Sequence, residues 1–222
     1  MDSTRLPGKA LLALDDVPVL GRVLNRLNMC RELDGIVVCT STRAIDDPIA
    51  DYASKAGVQL VRGDTFDVLG RANAAMTMVN ADAAVRISGD SPFVDPALVD
   101  KMVALHRQTP CDLTTNVHPR TFPAGMSIEV IQAQALAKLD QKSLSAEDRE
   151  HVTTYFYRHA DQFEINNHAA TTPCRDVDLA LDTEDDFAFQ NWLGTQIADD
   201  ANLNAIIAAA RLYPERRRKD AS

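Results

Sequence analysis

The sequence has no Cys-x-x-Cys pair, no Gly-x-x-x-x-Gly-Lys-Ser/Thr phosphate loop and no apolar run long enough to cross a bilayer. Its four cysteines, Cys30, Cys39, Cys111 and Cys174, lie far apart with no histidine at zinc-ligand spacing. A structural zinc site and a disulfide framework are therefore excluded as readings, and reduced thiols in a cytoplasmic protein are expected. No signal-peptide pattern opens the chain, so no membrane partner is expected. Positive charge is also short: 23 Lys and Arg face 32 Asp and Glu, a net charge of −9. That balance disfavours nucleic acid and anionic membrane as partners and leaves room only for a small polyanion. The basic run in 211–222, "PERRRKDAS" at its end, reads as a solvated tail. Internal repeats and low-complexity linkers are absent as well.

What is there fits one domain over residues 1–222, long enough to bury a continuous core. From Pro18 onward Val19, Leu20, Val23, Leu24 and Leu27 recur at helical spacing, with Arg22, Asn25 and Arg26 between them. "GIVVCTS" (35–41), "VQLVRG" (58–63), "AAVRIS" (83–88), "CDLTTN" (111–116), "GMSIEVI" (125–131) and "DVDLAL" (176–181) read as strands. Helical patterns lie between them at 47–57, 68–79 behind an Asp67 cap, 96–106 and 145–160 behind a Ser145 cap, with two more at the C-terminal end. Strands alternating with helices predict an α/β fold, a mostly parallel mixed sheet with helices on both faces.

In such sheets ligands bind at the carboxyl ends of the strands. Asp90 follows "AAVRIS" in a Gly-Asp-Ser-Pro turn, and Asp182 follows "DVDLAL". Each alone reads first as a turn or cap residue. Together they would suit Mg²⁺, which takes one or two carboxylates plus substrate phosphates. The opening stretch, "MDSTRLPGKALL", offers Ser3, Thr4, Arg5 and Lys9 around a Pro-Gly turn, a set suited to a triphosphate. Such loops normally hang from a strand, yet no strand pattern precedes this one.

Five segments in one order, "STRLPGK", "VRGDTFDVLGR", "RISGDSPFVDP", "REHVT" and "LDTEDD", resemble the cytidylyltransferases of the spore-coat-polysaccharide type, relatives of CMP-Kdo synthetase and acylneuraminate cytidylyltransferase. The resemblance runs from residue 2 to about 190. It implies a nucleotide-diphospho-sugar-transferase-like (GT-A, Rossmann-like) sheet binding CTP and Mg²⁺. The anomeric hydroxyl of an acidic 2-keto-3-deoxy sugar would attack the α-phosphate for surface-polysaccharide synthesis. On this resemblance Asp90 and Asp182 hold the metal, and Lys9 and Arg5 join them as catalytic groups. Ser3, Thr4, Arg5 and Lys9 bind the triphosphate, Arg62, Arg71 and Ser88 surround the nucleotide, and Glu129, Glu150 and His151 face the sugar. Arg62 and Arg71 fit equally as surface charges, while Glu150 and His151 fit a solvated helix face with a partly buried histidine slightly better.

The sequence departs from the family pattern at Asp2, Glu184, Ala124 and Ser127, which stand where Gly, Pro and acidic residues are usual. The family places a strand ending in Gln-Ala-Arg ahead of the loop, with an internal methionine where Met1 stands. The sheet is therefore expected to lack its first strand, and a native start upstream is expected. A homodimer through 117–131 is implied too. The alternatives are transfer to a sugar phosphate or other phosphorylated acceptor, and an inactive nucleotide-binding homologue.

Overall fold

Strand and helix alternate along the residues that the computed structural model describes, 5–214. A two-residue turn comes first: Asp15 and Asp16, at φ 50° and 63°, join β1 (Ala13–Leu14) to β2 (Val17–Pro18). Two successive positive-φ residues suit the hairpin twist, and Asp tolerates that region better than most side chains. The helix α1 (Val19–Leu27) buries the expected apolar stripe. Arg26, read from the sequence as part of its polar face, is buried instead. Its guanidinium donates to the carbonyls of Val94, Asp199 and Ala201, each at 2.6 Å. A buried charge persists only when its donors are used, and here all three nitrogens are.

Strand β3 (Val37–Ser41), helix α2 (Asp47–Lys55) and strand β4 (Gln59–Gly63) form a parallel βαβ unit, with Val37 opposite Gln59 and Ser41 opposite Gly63. Asp67 caps α3 (Val68–Val79) by accepting from the Gly70 N–H at 2.9 Å. Strand β5 (Ala83–Arg86) leads to α4 (Pro96–Gln108), capped by Asp95. Next come β6 (Leu113–Thr115), β7 (Glu129–Gln132), α5 (Ala133–Asp140), α6 (Ala146–His151), α7 (Thr153–Arg158) and β8 (Ile165–Asn167). The last two helices are α8 (Glu184–Gln196) and α9 (Leu203–Ala210).

The sheet is mixed. Strand β7 runs antiparallel to both β5 and β6, and β6 pairs with β8 in parallel, in the order β5-β7-β6-β8. Helices cover both faces, as expected. One core joins α1, α4, α8 and α9 through Val23, Val99, Leu193 and Ile206; the other joins α3, α5 and α7 through Leu69, Leu136 and Phe156. Among the described residues β3 pairs only with β4, and β5 only with β7, so the sheet falls into two pieces. None of the described helices is long and apolar enough to cross a membrane.

Two expectations are corrected, and one strand is added. The segment 176–181 forms no strand. Its alternation is genuine, with Val177, Leu179 and Leu181 buried, but only Asp178 makes a ladder contact, with Ala124. The helix expected over 145–160 breaks at Val152, fully buried at φ 47°, between α6 and α7. A β-branched residue there costs about 1–3 kcal/mol and is held by the packing around it, which periodicity does not register. Strand β8 had no signal of its own: three residues beside β6 acquire their pairing from tertiary contact.

Gly125 makes the approach of the 124–126 segment to Leu179 possible. It sits at φ 79°, and a Cβ there would lie 2.3 Å from the Leu179 carbonyl oxygen. Gly125→Ala should destabilise the chain by about 2 kcal/mol or more in urea unfolding. Gly35, with nothing within 4 Å of its Cβ position, is the matched control and should change little.

Candidate active site

One apolar contact seats the loop that opens the described chain. Leu6 is buried with Leu14, Val19 and Leu181. Gly8, at φ 71°, supplies the left-handed turn into the 3-10 turn Lys9–Leu11. Lys9 is thereby turned inward. Its Nζ donates to the Leu181 carbonyl at 2.8 Å and to Asp182 Oδ1 at 2.9 Å, and it contacts Asp90 Oδ2. An ammonium has three donors, and this one uses all of them. Arg5 reaches the other oxygen of Asp182 at 3.1 Å, while its own side chain stays exposed.

Both carboxylates are fixed by their neighbours in sequence. Asp90 lies four residues past the end of β5, in a turn closed by the Ser91 N–H on the Ser88 carbonyl at 3.2 Å and anchored by buried Phe93 and Val94. Asp182 immediately precedes the cap of α8. The Asp186 carboxylate accepts from the N–H groups of Asp182 (3.1 Å) and Thr183 (2.9 Å), and Thr183 Oγ1 accepts from the Asp186 N–H. Glu184 then takes the first helical position, which also suits the proline usual in the pattern.

The electrostatics follow. Burial pulls the Lys9 ammonium down, but its bonds to Asp90 and Asp182 outweigh that and hold its pKa above the ordinary 10.5. The hydrogen bond from Lys9 holds the Asp182 carboxyl below the ordinary 3.8, against partial burial and with help from Arg5. Two carboxylates that share one ammonium suit a magnesium ion with phosphate oxygens completing its shell. The described residues hold no cluster of three or more metal-ligating side chains. Asp90 and Asp182 are thus the pair that would hold such an ion, with substrate and water supplying the other ligands.

The remaining expected residues divide. Ser3 and Thr4 lie outside the described residues. Ser88 ends the run after β5, at the same rim as Asp90. The Arg62 guanidinium is committed to the Ser41 carbonyl (2.8 Å), the Arg43 carbonyl (3.1 Å) and Asp47 (2.7 Å). Arg71 bonds the Asp64 and Thr65 carbonyls and packs on Gly63, and its buried Nε lacks a partner among the described residues.

Glu129 is 3% exposed and sits opposite Arg86 in the β5–β7 register, ion-paired with it at 2.6 Å. Tyr157 donates to its other oxygen at 2.5 Å, and His118 stacks on the Tyr157 ring at 4.8 Å. Burial, together with the Glu129 charge, pushes the Tyr157 phenol well up, so it remains a proton donor. Arg86 and Tyr157 were missed, although an arginine inside the apolar run "AAVRIS" was a signal for the first.

Glu150 and His151 are exposed on α6 and join none of these groups. Their neighbour Arg149 does the bridging: it pairs bidentately with Asp67 at 2.8 Å and with Asp140 at 2.7 Å, and its bond lowers the Asp67 pKa. Two sequence motifs, "VRGDTFDVLGR" and "REHVT", therefore touch through one ion pair.

Comparison with known proteins identifies the family. The cytidylyltransferase family model matches residues 1–201, and the chain belongs to that family. The chain is 30% identical over 194 residues to the spore coat polysaccharide biosynthesis protein SpsF of Bacillus subtilis, covering 84% of this chain and 80% of that one. It is 25% identical over 160 residues to the 8-amino-3,8-dideoxy-manno-octulosonate cytidylyltransferase of Shewanella frigidimarina, covering 70% of this chain and 60% of that one. Among solved structures, a cytidylyltransferase from Leptospira borgpetersenii superposes with a TM-score of 0.92 at 30% identity, over 97% of this chain and 92% of that one.

Replacing Lys9 by methionine leaves Asp182 without its nearest cation. The Asp182 carboxyl should then titrate about one pH unit or more higher by carbon-detected NMR. In the unaltered chain the lowered Asp182 pKa stabilises the fold at and above pH 4, and that contribution fades as pH falls through the lowered value. An unchanged Asp182 titration in Lys9→Met would show that the clasp does not operate in solution.

Proposed function

We propose that this chain transfers CMP from CTP to the anomeric hydroxyl of an acidic 2-keto-3-deoxy sugar of the Kdo or nonulosonic-acid type, releasing pyrophosphate, for surface polysaccharide. The observation that carries the reading is the clasp itself: one ammonium and two carboxylates converge at the strand-end rim beside a loop bearing a second cation. The likeness to the Shewanella enzyme, which acts on an octulosonate, supports an acid sugar. The SpsF likeness supports a role in polysaccharide synthesis.

In the reaction the sugar oxygen forms a bond to the α-phosphorus, the α–β phosphoanhydride bond breaks, and the hydroxyl proton leaves to a base. Little covalent chemistry is asked of the protein, so positioning and charge neutralisation dominate. Lys9 exchanges one carboxylate contact for a phosphate oxygen and stabilises charge on the transferred and leaving groups. Arg5, exposed at the rim, meets the outer phosphates. Asp182, whose carboxyl is held in the charged form, is a poor proton acceptor and a good cation holder. With Asp90 it would hold a magnesium ion, which when bound neutralises phosphate charge. On the acceptor side, the Arg86, Glu129 and Tyr157 network offers fixed polar groups at the end of β5 and the start of β7.

The test is pyrophosphate release from CTP and Mg²⁺ with a panel of 2-keto-3-deoxy acid sugars and sugar 1-phosphates. Acid sugars should be turned over, and Lys9→Ala should lower kcat/KM by about 10²-fold or more while the protein stays folded. Turnover with sugar phosphates alone would replace the acceptor assignment. Bound CTP with no turnover of any acceptor would favour a nucleotide-binding role without catalysis.

A further inference from the structure

Arg86 closes β5, Thr115 closes β6, and Glu129 opens β7, which runs antiparallel to both. Glu129 is thus opposite Arg86 on one side and Thr115 on the other, at the rim past which Asp90 stands. Tyr157, on α7, joins them. Its hydroxyl donates to Glu129 Oε1 at 2.5 Å and accepts from Thr115 Oγ1 at 2.7 Å, and Thr115 Oγ1 in turn accepts from the Val117 N–H at 3.2 Å. Every donor in this chain points toward Glu129, and Arg86 Nη1 donates to its other oxygen at 2.6 Å.

Buried, and with a donor on each oxygen, Glu129 is closed to a ligand. Arg86 is open. Its side chain is 39% exposed, Glu129 engages only Nη1, and among the described residues Nε and Nη2 donate to no protein group. That free edge is a planar pair of donors, the shape a carboxylate accepts through both oxygens. Its orientation is fixed before a ligand arrives, because the buried anion holds the guanidinium from behind. Charge then decides which anion fits. Arg86 and Glu129 cancel, so the open edge offers directed hydrogen bonds with no net charge behind them. A carboxylate brings one negative charge toward Glu129, whereas a phosphate monoester brings about two and is repelled about twice as strongly.

We propose that Arg86 is the specificity-determining residue for the acceptor: its open edge binds the carboxylate of the sugar, a role that rests on CMP transfer to an acid sugar as the reaction. Glu129 and Tyr157 are positioning residues. They never touch the sugar; they hold the guanidinium in place and bias it against phosphate. Discrimination between acid sugars and sugar phosphates is thereby assigned to one ion pair at the β5–β7 edge, separate from the Lys9 clasp that meets the nucleotide.

The test is calorimetric binding to the full chain with Mg²⁺ and an α,β-methylene analogue of CTP present. The acid probes are Kdo and N-acetylneuraminate; their C1 carboxamides and glucose 1-phosphate are the controls. At least one acid should bind about tenfold or more tighter than its carboxamide and should shift the Arg86 Nε–H resonance. Arg86→Lys keeps a charge beside Glu129 but loses the fork, and should erase that preference while leaving carboxamide affinity unchanged. Glu129→Gln should raise the affinity for glucose 1-phosphate relative to the acid by about tenfold, a reversal that a loosened fold would not produce. Should Arg86→Lys fail to fold, Arg86→Gln combined with Glu129→Gln strands no buried charge and should likewise bind acid and carboxamide alike. Equal loss of acid and carboxamide, an unmoved Arg86 resonance, or no binding of either acid would overturn the inference. Pyrophosphate release separates the two failures. Turnover of acid sugars without an Arg86-dependent preference keeps the transfer reaction and discards this role, whereas an acid held at Arg86 with no acceptor turned over keeps the carboxylate site and discards the reaction.

Discussion

The ammonium of Lys9 joins three stretches of chain that are remote in sequence: the opening loop, the turn after β5 and the segment ahead of α8. Each stretch is anchored separately, by Leu6 in its small cluster, by Phe93 and Val94 in the main core, and by the reciprocal Thr183 and Asp186 cap. Lys9 then neutralises two carboxylates that would otherwise repel each other at the rim. On the proposed reading, the same arrangement is exchangeable. A polyphosphate and a divalent cation bring charges of opposite sign that can take over the partners of the lysine and of the aspartates together.

Inward of this rim the sheet is in two pieces among the described residues. On one side the parallel β3 and β4 unit packs on α1 and α2 through Leu20, Leu24, Val38 and Ala53. On the other, the four-stranded piece carries the main core and the polar network of Arg86, Glu129 and Tyr157. Helices α1 and α3 line the space between them on opposite faces. Ala10 and Gly89, the neighbours of Lys9 and Asp90, line that space.

Much of this was legible in the residues. Apolar periodicity located α1, α3 and α4, and β-branched runs located β3, β4 and β5, because in each the burial pattern is set locally. The meeting of Asp90 and Asp182 at one rim was legible, although Asp182 follows a half-buried extended segment and not the strand its alternation suggested. What escaped was decided by distant partners. Arg26 reads as a surface charge until the carbonyls of Asp199 and Ala201 arrive to bury it. Val152 reads as mid-helix until packing imposes a positive φ. In "REHVT" Glu150 and His151 carry the more reactive side chains, while Arg149 makes the contacts, because its partners Asp67 and Asp140 lie on other elements. The alternation of 176–181 marked half-burial correctly but does not by itself supply a neighbouring strand.

The most direct measurement is a crystal structure of the chain with CTP and Mn²⁺, the metal located by anomalous scattering. The metal should lie on Asp90 and Asp182, with the α- and β-phosphates within hydrogen-bond reach of Lys9 Nζ and Arg5 at the outer phosphates. A triphosphate seated away from Lys9, or an anomalous peak on other side chains, would contradict that placement.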